Sequence, residues 1–479
     1  MATPSQLTSS VPGEAPRGAI RRVGIGVDFG TTNTAAAFFD GNELVLVDLE
    51  RQSAIMPSAT YIDSEFKTLT GEEAIARYIA DNTGRTVELV AEVVGVSTVL
   101  VGDADPEGRR APETLTKKTY GQPVRDCGLK GRLFRGTKRL LGNKEVRRLM
   151  VFDHPFRLVA LITPILLHVR KCIEQRSPIG PAHVGHPVNF EGRDPYRNQL
   201  ALARLGEAYT HAGIKSHRFY PEPVAAAVSY LHRTRGDVGE RLLTVDFGGG
   251  TLDFSVLRQT ASGFDVVTTH GVAIGGDHID QRLFRELLFP LLGKGETWRR
   301  RGIDREIVTL FPFDEYEELL LNWAVTYLLN QNRFTTPVMD CLEQGGPAAL
   351  KFRRLRELIK QNYGYLVFQA LKDLKARLSD AEEAVLDIPE IDVEVKVSRE
   401  QFESLIADLL DQVRRGIDET LERAGLSHEA IDVVLRTGGS SLIPAVKRIL
   451  EDRFPNRVVE HDPFTSVAAG LAIADYYGY

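Results

Sequence analysis

The chain has 479 residues, of which 43% are hydrophobic and 26% charged, and its 59 Lys and Arg against 65 Asp and Glu leave a net charge of −6. This composition predicts packed domains rather than disorder, and its acidic balance argues against nucleic acid as a partner, which requires clustered cations. Cys127, Cys172 and Cys341 lie far apart without metal-ligand spacing, and no apolar run reaches the ~18 residues of a membrane span, so a cytoplasmic protein with no membrane partner is expected.

In chain order, residues 1–21 are dominated by small and polar types without an apolar block and read as a disordered tail. Residues 23–34 read V-G-I-G-V-D-F-G-T-T-N-T, an apolar strand and a small-residue turn, and a second apolar run follows over 35–39. That is the pattern of a β-hairpin. Residues 117–148 hold eleven Lys or Arg, read as a solvated basic face. Residues 158–169, mostly apolar but interrupted by Thr163 and Pro164, suit a buried helix or a strand–helix junction. Residues 223–231 (P-V-A-A-A-V-S-Y-L) place a proline in the first turn of a helix whose alanines allow close packing.

Residues 242–253 then repeat the opening pattern as L-L-T-V-D-F-G-G-G-T-L-D, with a returning strand over 254–257. Asp246 follows Asp28 by 218 residues, and a hairpin met twice predicts a duplicated α/β lobe. Beyond it, Gly275-Gly276-Asp277 precede an amphipathic stretch over 278–288, residues 291–345 read as irregular, and 355–378 read as one strongly helical run. A short strand over 431–435 leads into Thr437-Gly438-Gly439-Ser440-Ser441, a helix restarts over 444–450, and 462–474 form a last helix capped by Thr465 or Ser466.

These turns permit one chemistry in particular. With no side chain in the way, backbone N–H groups at Gly30, Thr31 and Thr32, and at Gly248, Gly249, Gly250 and Thr251, can converge on phosphate oxygens, and the threonine hydroxyls add donors. Asp28 and Asp246 end the strands just before each turn, where a carboxylate beside phosphate requires a cation between them. Mg²⁺ keeps most of its waters, so these two aspartates are expected to reach it largely through water. Gly438, Gly439 and Ser440, between a strand and a helix, offer a third point of close approach. His183 and His186, without a third partner, are read as structural.

At this point the chain resembles the nucleotide-binding region of the seventy-kilodalton heat-shock (DnaK-type) chaperones. V-D-F-G-T-T-N-T (27–34), T-K-R-L-L-G (137–142), E-P-V-A-A-A-V-S-Y (222–230), V-D-F-G-G-G-T-L-D (245–253) and T-G-G-S-S-L-I-P (437–444) match in the family's order. G-G-D-H-I-D (275–280) and D-P-F-T-S-V-A-A-G (462–470) add two more. The resemblance implies an actin-like ATPase (ribonuclease-H-like) α/β fold of two lobes around a nucleotide cleft. Lobe I would comprise 22–238 plus 458–479, and lobe II would comprise 239–457 with an enlarged tip around 278–350.

The resemblance also implies the ligands, ATP or ADP with Mg²⁺, and slow hydrolysis to ADP and phosphate. Lys138 would reach the γ-phosphate and orient the attacking water. Glu222, Asp246 and Asp253 would surround the metal and the water, and Asp28 would complete the metal environment. Lys375 and Ser379 would hold ribose and adenine, Gly276 would contact the nucleotide, and Pro187 would couple nucleotide state to lobe movement.

Two departures qualify this. The arginines that sandwich adenine in the family are replaced by Ala376 and Leu442, so a weaker or looser base grip is expected. The last motif ends just before Tyr479, which leads us to expect no peptide-binding domain, as in the short branch often called YegD-like. The expected function is a chaperone-like ATPase switch with co-chaperone or exchange-factor partners. The alternatives are an actin-like filament ATPase of the cell-shape type or a sugar or acid kinase of the superfold.

Overall fold

A computed structural model describes residues 22–87, 89–101, 113–126, 128–152, 154–190, 194–234, 239–261, 263–301 and 306–479. The expected tail, Cys127 and the lobe boundary at 238 lie outside these residues. Two sheets with the same strand order dominate the molecule. In the first, Gly24–Phe29, Asn33–Phe39 and Leu44–Leu46 are antiparallel, and Ala182–His186 then His217–Pro221 add in parallel beside Gly24–Phe29. In the second, Arg241–Phe247, Leu252–Thr260 and Gly263–Val272 are antiparallel, and Val433–Thr437 then Val458–Glu460 add in parallel beside Arg241–Phe247. Asp28 faces Ala35 in its hairpin as Asp246 faces Asp253, so the duplication holds residue by residue.

The central strands are buried on both faces, which explains why they read as continuous apolar runs rather than as alternation. Helices Leu158–Glu174 and Arg197–His211 cover one face of the first sheet around Ile25, Val27 and Phe29. Its other face is covered by Ser466–Tyr477, which packs against Glu222–Thr234, and this helix pair fills the space between the two sheets. The approach is close: a Cβ on Gly470 would sit 1.7 Å from the Ala225 carbonyl oxygen.

Four sequence expectations change. Residues 291–345 are not irregular, for they form a hairpin of Thr297–Arg301 with Glu306–Leu310 and helices Asp314–Leu320 and Asn332–Gln344. Elements this short carry too few residues to establish a period, and the buried rings of Phe289, Phe311, Phe313, Tyr316, Phe334 and Phe352 fix them instead. The run over 355–378 is two helices, Ala349–Lys360 and Gly364–Asp380, because Asn362 between them takes the left-handed φ of 53°. The amphipathic stretch over 278–288 starts as an α-helix at Gly276–Leu283 and widens into a π-turn at Phe284–Leu288. Val458–Glu460, expected with the first lobe, is an edge strand of the second sheet, and the chain crosses back only afterwards.

The first-lobe segment Ala59–Val87 shares one apolar core with the enlarged second-lobe region. Tyr78 Oη donates to the Trp323 carbonyl at 3.1 Å, and the Val87 and Gly84 amides donate to the carbonyls of Asn330 at 2.9 Å and Lys360 at 3.1 Å. Among the described residues no helix is long and apolar enough to cross a membrane.

Candidate functional site

A cleft of about 1030 Å³ opens where the two hairpin turns face each other. Each turn is closed the same way, by Gly30 N–H donating to the Asn33 carbonyl at 2.9 Å and Gly248 N–H donating to the Thr251 carbonyl at 3.0 Å. Cβ atoms built on Gly249 and Gly250 would lie 2.4 Å from Thr32 Oγ1 and 2.8 Å from Thr31 Oγ1, so side chains there would close the gap between the loops. Thr32 Oγ1 is buried without a hydrogen-bond partner, as expected of a donor waiting for a ligand oxygen.

Most of the residues singled out from sequence line this one cleft: Asp28, Gly30, Thr31, Thr32, Lys138, Glu222, Asp246, Gly248, Gly249, Gly250, Thr251, Gly276, Lys375, Ser379, Gly438, Gly439, Ser440 and Leu442. Pro187 and Ala376 line it too. Asp253 does not. It is buried behind Thr251, whose hydroxyl donates to it at 2.6 Å, and it accepts a second bond from the Val188 amide at 3.1 Å. His183 is tied to Asp475 of the last helix at 2.8 Å, and His186 Nδ1 lies 2.7 Å from the Pro187 carbonyl. Neither lines the cleft.

Lys138 projects from the short helical turn Thr137–Leu140 and is nearly fully buried, with Nζ 2.5 Å from Glu222 Oε1 at the start of helix Glu222–Thr234. Burial opposes its charge, but Glu222 and Asp28 outweigh that and hold the ammonium above its ordinary range. The carboxylates respond in the opposite sense. Burial, with Glu222 nearby, pushes Asp28 up to about 7. Burial also pushes Asp253 up to about 7, and it raises Asp246 well above its ordinary value with help from Asp253, Glu222 and Asp28. One ammonium thus faces four carboxyl groups, and Asp28 Oδ1 has no hydrogen-bond partner.

The third loop is held in place by its backbone. Gly438 has φ +80°, and a Cβ there would strike the Phe247 carbonyl and Asp246 Oδ1, so the loop can lie against the Asp246 carboxylate only as glycine. Ser440 Oγ donates to the Gly248 carbonyl at 3.2 Å, and Gly276 N–H donates to the same carbonyl at 3.0 Å. Lys375 pairs with Asp280 at 2.6 Å.

Sequence reasoning missed Asp280, Lys372, Arg139, Asp277 and Phe464, all of which line the cleft. Phe464 is 51% exposed with its ring against Gly439. It is presented by a turn in which Asp462 Oδ1 accepts the Phe464 and Thr465 amides, both at 3.0 Å. The D-P-F-T spacing carried that signal, since Asp two residues before a turn amide is an Asx turn.

Over residues 196–294 and 365–475 the chain matches the family model described as Hsp70 protein. It is 26% identical over 464 residues to the chaperone protein DnaK of Deinococcus proteolyticus, covering 94% of this chain and 58% of that protein. To the chloroplastic stromal 70 kDa heat shock-related protein of Pisum sativum it is 24% identical over 451 residues, covering 93% of this chain and 52% of that one. To the chloroplastic heat shock 70 kDa protein 7 of Arabidopsis thaliana it is 26% identical over 454 residues, covering 94% and 51%. The chain therefore spans between about half and three-fifths of the length of these curated relatives.

Proposed function

We propose that this chain, which is similar to Hsp70-family proteins over most of its length, is a cytoplasmic ATPase switch that binds ATP or ADP with Mg²⁺ in the interlobe cleft and hydrolyses ATP slowly. The observation that carries this reading is the pair of identically closed turns facing each other, with a carboxylate at the root of each and a single ammonium between them. The donor set fits a triphosphate: backbone amides of both turns and the hydroxyls of Thr31 and Thr32 bind its oxygens from both sides.

It also fits a hydrated divalent cation. Among the described residues no three carboxylate, imidazole or thiol side chains gather closely enough to ligate an ion directly, which favours contact through water from Asp28 and Asp246. When bound, that ion supplies charge that offsets both the phosphates and the surplus carboxylates. The unpartnered Asp28 Oδ1 is its natural acceptor.

For the chain's own residues, Lys138 holds an ammonium where the terminal phosphoryl group develops charge, and Glu222 fixes that ammonium in place. The Thr251 hydroxyl donates its hydrogen bond to Asp253, so its oxygen is left to accept one from the attacking water. Asp253 thereby acts as the positioning residue for Thr251. Lys375 and Ser379 take the ribose and base end. Ala376 and Leu442 offer no guanidinium there, so we expect a weaker or less exclusive adenine grip than two flanking arginines give, with Phe464 as the exposed aromatic face nearby. Co-chaperone or exchange-factor proteins are the partner class this reading suggests.

Calorimetric titration with ATP, ADP and GTP, with and without Mg²⁺, tests the binding, and single-turnover hydrolysis tests the chemistry. Lys138→Ala should abolish single-turnover hydrolysis while leaving ATP affinity within a few fold. Equal loss of both would make Lys138 structural, and Mg²⁺-independent or absent nucleotide binding by the wild type would overturn the proposal.

A further inference from the structure

Beside the nucleotide cleft lies a second chamber of about 470 Å³ between the two lobes. Arg139, Asp277, Asp280 and Lys372 line both spaces, so the chamber opens off the cleft rather than standing apart from it. Its own walls come from Arg135 and Asn143 of the first lobe and from Leu321, Trp323 and Phe368 of the second. Nothing in the proposed hydrolysis uses it.

The charges in the chamber do not balance. Both of its carboxylates are committed, Asp280 to Lys375 at 2.6 Å and Asp277 to Arg139 at 3.6 Å. Arg135 and Lys372 have no carboxylate partner among the described residues. They lie close enough to repel each other, and burial, the larger effect, holds both below their ordinary pKa ranges. Lys372 stands one helical turn before Lys375 on Gly364–Asp380, so both ammonium groups project to the same side.

The guanidinium of Arg135 lies over the Trp323 ring at 4.8 Å. A cation–π contact uses up none of the guanidinium's N–H donors in a hydrogen bond, and that planar fork suits a two-pronged grip on a phosphate or carboxylate. Two half-buried cations with free donors, facing a cavity whose acids are already paired, form a site that lacks only its anion.

We propose that this chamber is a second anion site, built for a phosphoryl group held by Arg135 and Lys372 beside the bound nucleotide. The inference rests on the nucleotide reading of the main cleft. The group could arrive as free phosphate or pyrophosphate next to ADP, or as an extra phosphate on the ribose of the nucleotide itself, since Lys375 at the proposed ribose end adjoins Lys372. In either form it bridges Arg135 of one lobe to Lys372 of the other, and so favours the closed arrangement of the lobes.

The test uses the full chain in calorimetry with four probes: ADP, ADP carrying a 3′-phosphate, and phosphate and pyrophosphate each added with and without saturating ADP. Tethered delivery predicts at least tenfold tighter binding of the 3′-phosphorylated nucleotide than of ADP. Free delivery predicts phosphate or pyrophosphate binding on top of saturating ADP. Arg135→Gln, which changes a residue of the chamber but not of the cleft, should remove either increment while ADP affinity stays within about twofold, and Lys372→Gln should remove it independently.

No increment with any probe, or an increment that both variants retain, overturns the chamber while leaving the nucleotide reading intact. If ADP itself fails to bind, that reading falls instead. The chamber is then decided by whether Arg135→Gln abolishes pyrophosphate binding to the nucleotide-free protein.

Discussion

Replacing Asp28 by Asn should make the nucleotide-free protein more stable above neutral pH while impairing its response to Mg²⁺ and nucleotide. Asp28 lies among Glu222, Asp246 and Asp253 with only Lys138 to offset them, and burial followed by Glu222 raises it from 3.8 to about 7. A carboxyl group whose folded pKa lies above its unfolded value keeps its proton longer when folded. Its contribution to stability is therefore complete below the unfolded value and is lost as pH rises through the folded one. For Asp28 taken alone the full loss is about 4 kcal/mol, of which about 3 kcal/mol falls between pH 5 and 8. Sharing of protons with its neighbours reduces the observable part, so a difference of roughly 2 kcal/mol is a reasonable expectation.

The assay is thermal unfolding in EDTA at pH 5 and pH 8, for wild type and Asp28→Asn. Groups common to both proteins cancel, and the variant should lose several degrees less than wild type across that interval. With Mg²⁺ and ATP the order should reverse, because the wild-type carboxylate then has a cation to face. A variant with an unchanged pH slope, or one destabilised at pH 8 without ligand, would refute the account of Asp28 as a carboxylate held in place for a cation.

The duplicated turns were legible in the sequence because function and backbone geometry use the same residues: a glycine that permits the turn also clears the way for an anion, and V-D-F-G recurs at one fixed offset. Lys138 was legible only through the resemblance, since it is one of eleven basic residues in its stretch of chain and its burial against Glu222 depends on a contact 84 residues away. Asp253 shows the opposite limit. It pairs directly opposite Asp246 and shares its side of the sheet, which suggested a place in the cleft, but the Thr251 hydroxyl and the Val188 amide take up its carboxylate behind the turn. The enlargement of the second lobe was legible, but the elements inside it were not. Its short helices are held by rings that converge from distant segments, and no local period records such packing. Arg135 and Trp323 are likewise 188 positions apart, so the chamber between them could emerge only from the fold.

Two more expectations follow from these contacts. Ala376→Arg should tighten adenine-nucleotide binding by about threefold to tenfold, the range of a cation over an aromatic base, while leaving pyrophosphate affinity unchanged. Calorimetry with both ligands checks this, and equal effects on the two would place residue 376 away from the base. Trp323→Ala should act on both lobes at once, because Trp323 meets Tyr78 and Arg135 from the first lobe and Tyr365 from the second. Removing a buried indole of this kind costs about 3–5 kcal/mol where the site cannot collapse. Some of that loss falls on the contact between lobes rather than within either one, so ADP release should quicken even at temperatures where the protein remains fully folded. Stopped-flow displacement of a fluorescent ADP measures that rate, with Phe311→Ala as the comparison. Phe311 is buried inside the second-lobe core against Phe352 and touches no first-lobe ring, so it should lower stability without changing release. If both variants lose stability alike and release ADP at the wild-type rate, the seam between Ala59–Val87 and the enlarged region is packing only and does not restrain the cleft.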